Sequence, residues 1–125
     1  MISKIEFEAY KEIATGDQTK KTLASMNPEA ISKIGGKTSV YYARLSGEYA
    51  QIKDEIMSEF IALTEPKEDG SKEMPATKAD KYAEVAVNGR HEVSRREIEY
   101  LMNALDKIAF ACSARVRSFN KEGSY

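Results

Sequence analysis

Four features of this 125-residue chain contain residue types that could do chemistry. Gly36-Lys37-Thr38 ends like a phosphate-binding loop, in which backbone amides and a lysine surround phosphates across G-x-x-x-x-G-K-[ST]. The first glycine of that loop would stand at position 31, which is Ile31, and no strand precedes it. A helix stop at Gly35-Gly36 and a new cap at Thr38 explain the same residues. Cys112 stands alone, which excludes an internal disulfide framework and a multi-cysteine zinc site. It falls between Ile108 and Val116 at helical spacing and reads as a small core residue with a raised thiol pKa. His91, also alone, lies between Arg90 and Glu92 and reads as a solvated surface side chain. No nucleophile, paired carboxylates or metal-ligand set is concentrated in one short region. No enzyme activity, cofactor or metal is expected.

The fourth group is Arg96, Asn103, Lys107, Arg117 and Lys121. At about 100° per residue these fall within about 80° of one another, roughly opposite a stripe of Leu101, Leu105, Ile108, Cys112 and Val116. An amphipathic helix carrying both sets would turn its apolar stripe inward and its cations outward. Repeated around a ring of subunits, such a patch becomes a positive track able to hold phosphate backbones without reading sequence. The plainer reading is an ordinary charged outer face, which Glu99 and Asp106 border. Tyr42, Tyr49, Tyr82 and Tyr100 read as seam residues with hydroxyls at the rim, and only Tyr41 lies plainly off the seam, where a ring could stack on a base.

The elements that would position these residues are helical. Ser3-Lys4-Ile5-Glu6 reads as a capping box, with Ser3 accepting from an amide of the first turn and Glu6 reaching back. Gly16 closes that helix by a left-handed turn. Asp17 starts a second short segment, and Asn27-Pro28-Glu29 opens a third, so residues 1–37 are expected to form two or three short helices. Over 38–64, Tyr42, Leu45, Tyr49, Ile52, Ile56, Phe60 and Leu63 recur at spacings of three and four, a seam about 80° wide, close to a coiled-coil stripe. Residues 65–76, with two prolines and Gly70, read as a polar loop. The spacing predicts one long helix over 77–120, bent or frayed near Gly89. Ser94-Arg95-Arg96-Glu97 is a second capping box that would restart it if it breaks at 88–94.

A continuous helix of that length would span about 60 Å and its predecessor about 40 Å, whereas a compact chain of this size has a radius of gyration near 14 Å. The fold expected is therefore an all-α single domain: a long antiparallel helical hairpin with short N-terminal helices, assembling as a homo-oligomer to cover seams that two helices cannot enclose. The seam residues expected at the hairpin or oligomer contact are Leu45, Tyr49, Ile52, Ile56, Phe60, Leu101, Leu105, Ile108 and Val116. No membrane span or signal peptide is visible, so the cytoplasm is the expected compartment, that of the host cell if the chain is phage-encoded. The net charge of −1 hides a gradient. Residues 1–37 carry six basic and five acidic residues, 38–87 six and ten, and 88–125 seven and five.

Ile52-Lys53-Asp54-Glu55 on the first long helix, then Ile98-Glu99-Tyr100 and Leu105-Asp106 on the second, with Arg115 and Arg117 near its end, make residues 38–121 resemble the UvsY-like phage recombination mediator family. The resemblance implies an oligomeric ring that binds single-stranded DNA, remodels it on a single-strand binding protein and helps load a strand-exchange recombinase. It implies Lys107, Arg115, Arg117 and Lys121 as DNA contacts. The chain departs from the family at the end of the first long helix, where a basic stretch is replaced by Ser58-Glu59-Phe60-Ile61-Ala62-Leu63-Thr64-Glu65-Pro66. Two functions follow. One is a DNA-recombination accessory protein that binds single strands. The other is an architectural or interaction module, a phage assembly or regulatory factor, whose hairpin docks other helices without DNA.

Overall fold

The computed structural model describes residues 1–25 and 27–122, the last two by their backbone, and the regular elements it describes are all helices. They are α1 (Lys4–Thr15), α2 (Asp17–Ser25), α3 (Pro28–Thr64), α4 (Ala76–Asn88) and α5 (Arg95–Glu122). Among the described residues no helix is long and apolar enough to cross a membrane.

Several helix starts follow the local chemistry. Ser3 Oγ accepts from the Glu6 amide at 3.1 Å. The Glu6 carboxylate does not face its own helix start: it accepts from Arg44 Nε on α3 at 2.6 Å and from the Tyr10 hydroxyl, tying α1 to α3. Asn27 Oδ1 accepts from the amides of Glu29 and Ala30 at 3.1 and 3.2 Å, with Pro28 as the first helical residue, and so opens α3. Gly16 is extended (φ −72°, ψ 149°), not left-handed as its place after α1 suggested. Its lack of a side chain matters for another reason, since a Cβ there would sit 2.4 Å from the Glu12 carbonyl oxygen that accepts the Gly16 amide. Gly16→Ala is expected to lower the unfolding free energy by about 1–3 kcal/mol in urea titration, because the corner between α1 and α2 must shift to admit the methyl group.

Two expectations about helix extent are also corrected. Gly35-Gly36 does not stop a helix, because α3 runs through it for 37 residues. Each interior glycine costs a helix about 1 kcal/mol relative to alanine, but α3 buries Ile31, Thr38, Leu45 and Ile52 along one side, and burying side chains of the size of Ile or Leu returns about 1.5–3 kcal/mol each. Gly35 also lets α5 approach: a Cβ there would lie 3.4 Å from Cys112 Cβ. The second correction concerns 77–120, which is two helices separated by residues 89–94 rather than one. The break turns His91 and Val93 inward, and both are buried. Side chains replace the lost backbone partners: Asn88 Oδ1 accepts from the Arg95 amide at 3.2 Å and Ser94 Oγ from the Glu97 amide at 3.3 Å, so Ser94 caps the start of α5, while the Glu97 carboxylate accepts from the Ser94 hydroxyl at 3.1 Å.

One apolar cluster joins Leu45 and Ile52 of α3, Ile98, Leu101 and Leu105 of α5, Phe7 and Tyr10 of α1, and Val87 and Val93. A smaller one joins Leu63 to Ala79 and Ala83 of α4. Of the expected seam residues, Leu45, Ile52, Leu101 and Leu105 are buried within one chain, and Tyr49, Ile56, Phe60, Ile108 and Val116 are partly buried. Residues 65–75 link α3 to α4 through a turn at Gly70 (φ 81°), a backbone region that favours glycine.

Candidate nucleic-acid interface

Helix α5 is amphipathic, and its inner side is fixed by Ile98, Leu101, Leu105 and Cys112, all buried. The opposite side is therefore turned to solvent. At about 100° per residue, Tyr100, Lys107, Arg96, Ala114, Asn103, Phe110 and Arg117 fall in that order across an arc of about 100°, and all seven are exposed. Two of them are aromatic and unusually open, Tyr100 at 71% and Phe110 at 70% exposure. They are ten residues apart, about 15 Å along the axis, with the Lys107 ammonium between them and the guanidinium groups of Arg96 and Arg117 beyond each end. A shallow recess of about 430 Å³ is lined by Phe110, Ala114, Arg117 and Ser118. Cations for phosphates and flat rings for base faces are the two ingredients of sequence-tolerant single-strand binding.

Of the residues expected to contact DNA, Lys107 and Arg117 share this face. Arg115 is exposed but lies on another side of the helix, about 110° from the centre of the patch. The Lys121 side chain lies outside the described residues. Glu99 and Asp106 border the patch and are exposed. The aromatic half of the site was missed in the sequence. Tyr100 reads as a seam residue and Phe110 carries no expectation, although the helical angle that groups the cations places both rings among them. Tyr82 is exposed as well, and Tyr41, read as free to stack on a base, is stacked on Tyr10 instead, with centroids 4.1 Å apart and planes 16° apart.

A second cluster of titratable groups sits at the break between α4 and α5. His91 is buried, its side chain 1% exposed, which corrects its reading as a surface residue. Its Nδ1 lies 2.7 Å from Glu48 Oε1 and its Nε2 2.7 Å from Glu55 Oε2. The two carboxylates are seven residues apart, two turns along α3, so one imidazole spans them. Glu48 Oε2 also accepts from the Ile2 amide at 3.1 Å and lies 3.6 Å from the Met1 amino group. Burial works to pull the His91 pKa down, but the hydrogen bonds to Glu55 and Glu48 outweigh it and the net shift is upward from 6.5. The Glu55 carboxyl is held below its ordinary value, first by His91. Both ring nitrogens are committed to carboxylates, so neither is open to a substrate, and the cluster acts as a clamp joining α3, the 89–94 link and the N-terminal segment.

No family model, curated protein or solved structure matches the chain. Cys112 is buried against α3 and its thiol pKa is pushed up by burial, the opposite of a reactive cysteine. Among the described residues no group of three or more His, Cys, Asp or Glu side chains is placed to hold a metal ion. A groove of about 570 Å³ between α3 and α4 is lined by Ile56, Met57 and Phe60, and two of the charges at its edge are paired, with Arg95 Nη2 2.7 Å from Glu84. The outer face of α5 is the surface with the chemistry of a polyanion contact.

Proposed function

We propose that the protein is a non-enzymatic, self-associating accessory protein that binds single-stranded DNA along the outer face of α5, in the manner of a recombination mediator that helps load a strand-exchange recombinase. The observation that carries this reading is the placement of Tyr100 and Phe110, both open to solvent, among Arg96, Lys107 and Arg117 on one helix face. Base stacking gives these rings an occupant whose phosphates the cations beside them also attract. The recombinase and the single-strand binding protein enter through the resemblance of residues 38–121 to phage mediators.

The reading includes a long antiparallel hairpin as the scaffold. It is supported by residue pairs that run in opposite directions along the chain: Gly35 beside Cys112, Glu48 with His91, Glu59 with Arg90, and Leu63 clustered with Ala79 and Ala83. Lys107→Glu with Arg117→Glu tests the DNA contact. Measured by fluorescence anisotropy on a labelled oligonucleotide, the pair is expected to weaken single-strand binding at least tenfold at low salt. It should also flatten the plot of log K against log[salt] by about 1.4, the loss of two phosphate contacts. An affinity equal to that of the unsubstituted chain would remove α5 from the interface.

A second reading, an interaction module that docks other helices without DNA, is favoured by the exposed Tyr82 and Val85 on α4. Under it, the same charge reversals leave activity intact.

A further inference from the structure

We propose that the solvent side of α3 is the self-association surface of the protein, and that it pairs with the same face of a second copy in antiparallel register. From Gly36 to Ile61 the residues at alternating steps of four and three form a heptad seam turned away from the core, and all eight are exposed. Three are large and apolar: Val40 and Met57 at 59% and Ile61 at 53% exposure. The seam expected to join subunits is largely filled by the chain's own helices, which leaves this second stripe to meet a partner.

The glycines in the stripe are an independent indication. A Cβ on Gly36 or Gly47 would meet nothing within 4 Å, and both stand inside a helix, where φ needs no glycine. The protein's own fold therefore gives no reason for either, although each costs about 1 kcal/mol in a helix interior. Close approach of another helix backbone is such a reason. Gly35 shows the contrast, because its open side is already filled by Cys112.

Size and charge select a second copy and its direction. In a parallel pair Asp54 would face Asp54 of the other copy, two carboxylates in one seam, and Gly36 would face glycine across a void. In an antiparallel pair about a two-fold between Gly47 and Ala50, Ile61 meets Gly36, Met57 meets Val40, and Gly47 meets Ala50 at the crossing. Asp54 then lies opposite Ala43, one residue from Arg44, whose side chain remains 53% exposed beside its Glu6 contact. Such an isologous contact closes on itself as a dimer. The strip is about 38 Å long and one helix wide, below the area of a standard stable interface, so association should depend on concentration.

This inference rests on the self-association in the proposed function, and it is tested by mass without DNA so that the two fail separately. Sedimentation equilibrium of the full chain from micromolar to sub-millimolar concentration is expected to show mass rising towards two chains. Gly47→Glu with Ala50→Glu should hold the chain at monomer mass with unchanged helical circular dichroism, since both positions face solvent and the helix gained by replacing Gly47 offsets the small loss at Ala50. Met57→Lys is a second variant with the same expected result. Mixed Val40→Cys and Met57→Cys chains should form a disulfide with each other on oxidation, and Val40→Cys alone should not. An unsubstituted chain that stays monomeric, assembly that survives Gly47→Glu with Ala50→Glu, or a Val40→Cys homodimer would overturn the proposal. The second of these would leave self-association standing and remove only the α3 surface.

Discussion

Replacing Glu48 by leucine should lower the unfolding free energy by about 3 kcal/mol at pH 6, measured by urea titration. The effect is large because His91 is charged and its side chain is 1% exposed. Without Glu48 it keeps only Glu55, which is 34% exposed, and removing one partner of a buried charge pair leaves the other poorly compensated. The Ile2 amide and the Met1 amino group lose their acceptor in the same substitution.

The same clamp fixes the pH dependence. The folded pKa of His91 lies above the unfolded value near 6.5. Its contribution is therefore complete below about pH 6.5 and is lost as pH rises through the folded value. The Glu55 carboxyl is lowered from 4.5, so its contribution is present above about pH 4.5 and is lost as pH falls through its folded value. Stability should be greatest between these limits. Arg90 contributes to the lowering at Glu55, and its own ion pair is with Glu59 at 3.3 Å. The acid limb is shared with Glu6, held down by Arg44, and Glu84, held down by Arg95. The alkaline limb belongs to His91. In His91→Phe the fall in urea midpoint as pH rises above about 6.5 should disappear, and an unchanged slope would show that the imidazole is not charged in the folded protein.

Tyr100→Ala with Phe110→Ala is expected to weaken single-strand binding by about a hundredfold or more, since stacking on one aromatic ring is worth about 1–3 kcal/mol per base. Both rings stand in solvent, so thermal stability should stay within a degree or two. The salt slope separates this loss from that of the charge reversals. Removing rings lowers affinity equally at every salt concentration, whereas removing cations changes the slope. Unchanged affinity in the aromatic variant would mean that the rings meet something other than bases.

What could be read from the sequence was local. The Ser3 and Ser94 caps and the Asn27-Pro28 start depend on residues within four positions of one another, and each is found in the structure. The cationic side of α5 was legible because one helical angle relates its members. What failed depended on distant partners. Gly35-Gly36 resembles a stop until α5 is packed against it. His91, flanked by Arg90 and Glu92, looks solvated until the 89–94 link turns it towards Glu48 and Glu55, 43 and 36 residues away. The continuous helix over 77–120 failed for the same reason, because burying His91 and Val93 outweighs the propensity to propagate. Only the seven-residue spacing of Glu48 and Glu55, two acids two turns apart on an inward side of α3, was a signal available in advance.

The binding of single strands by α5 is tested most directly by titrating a labelled single-stranded oligonucleotide and the matching duplex against the protein across a salt series. Tighter binding to the single strand is expected, with log K falling against log[salt] at a slope of about −2 or steeper, the release expected from Arg96, Lys107 and Arg117 on one chain. No binding at low salt, or a duplex held as tightly as the single strand, would contradict it.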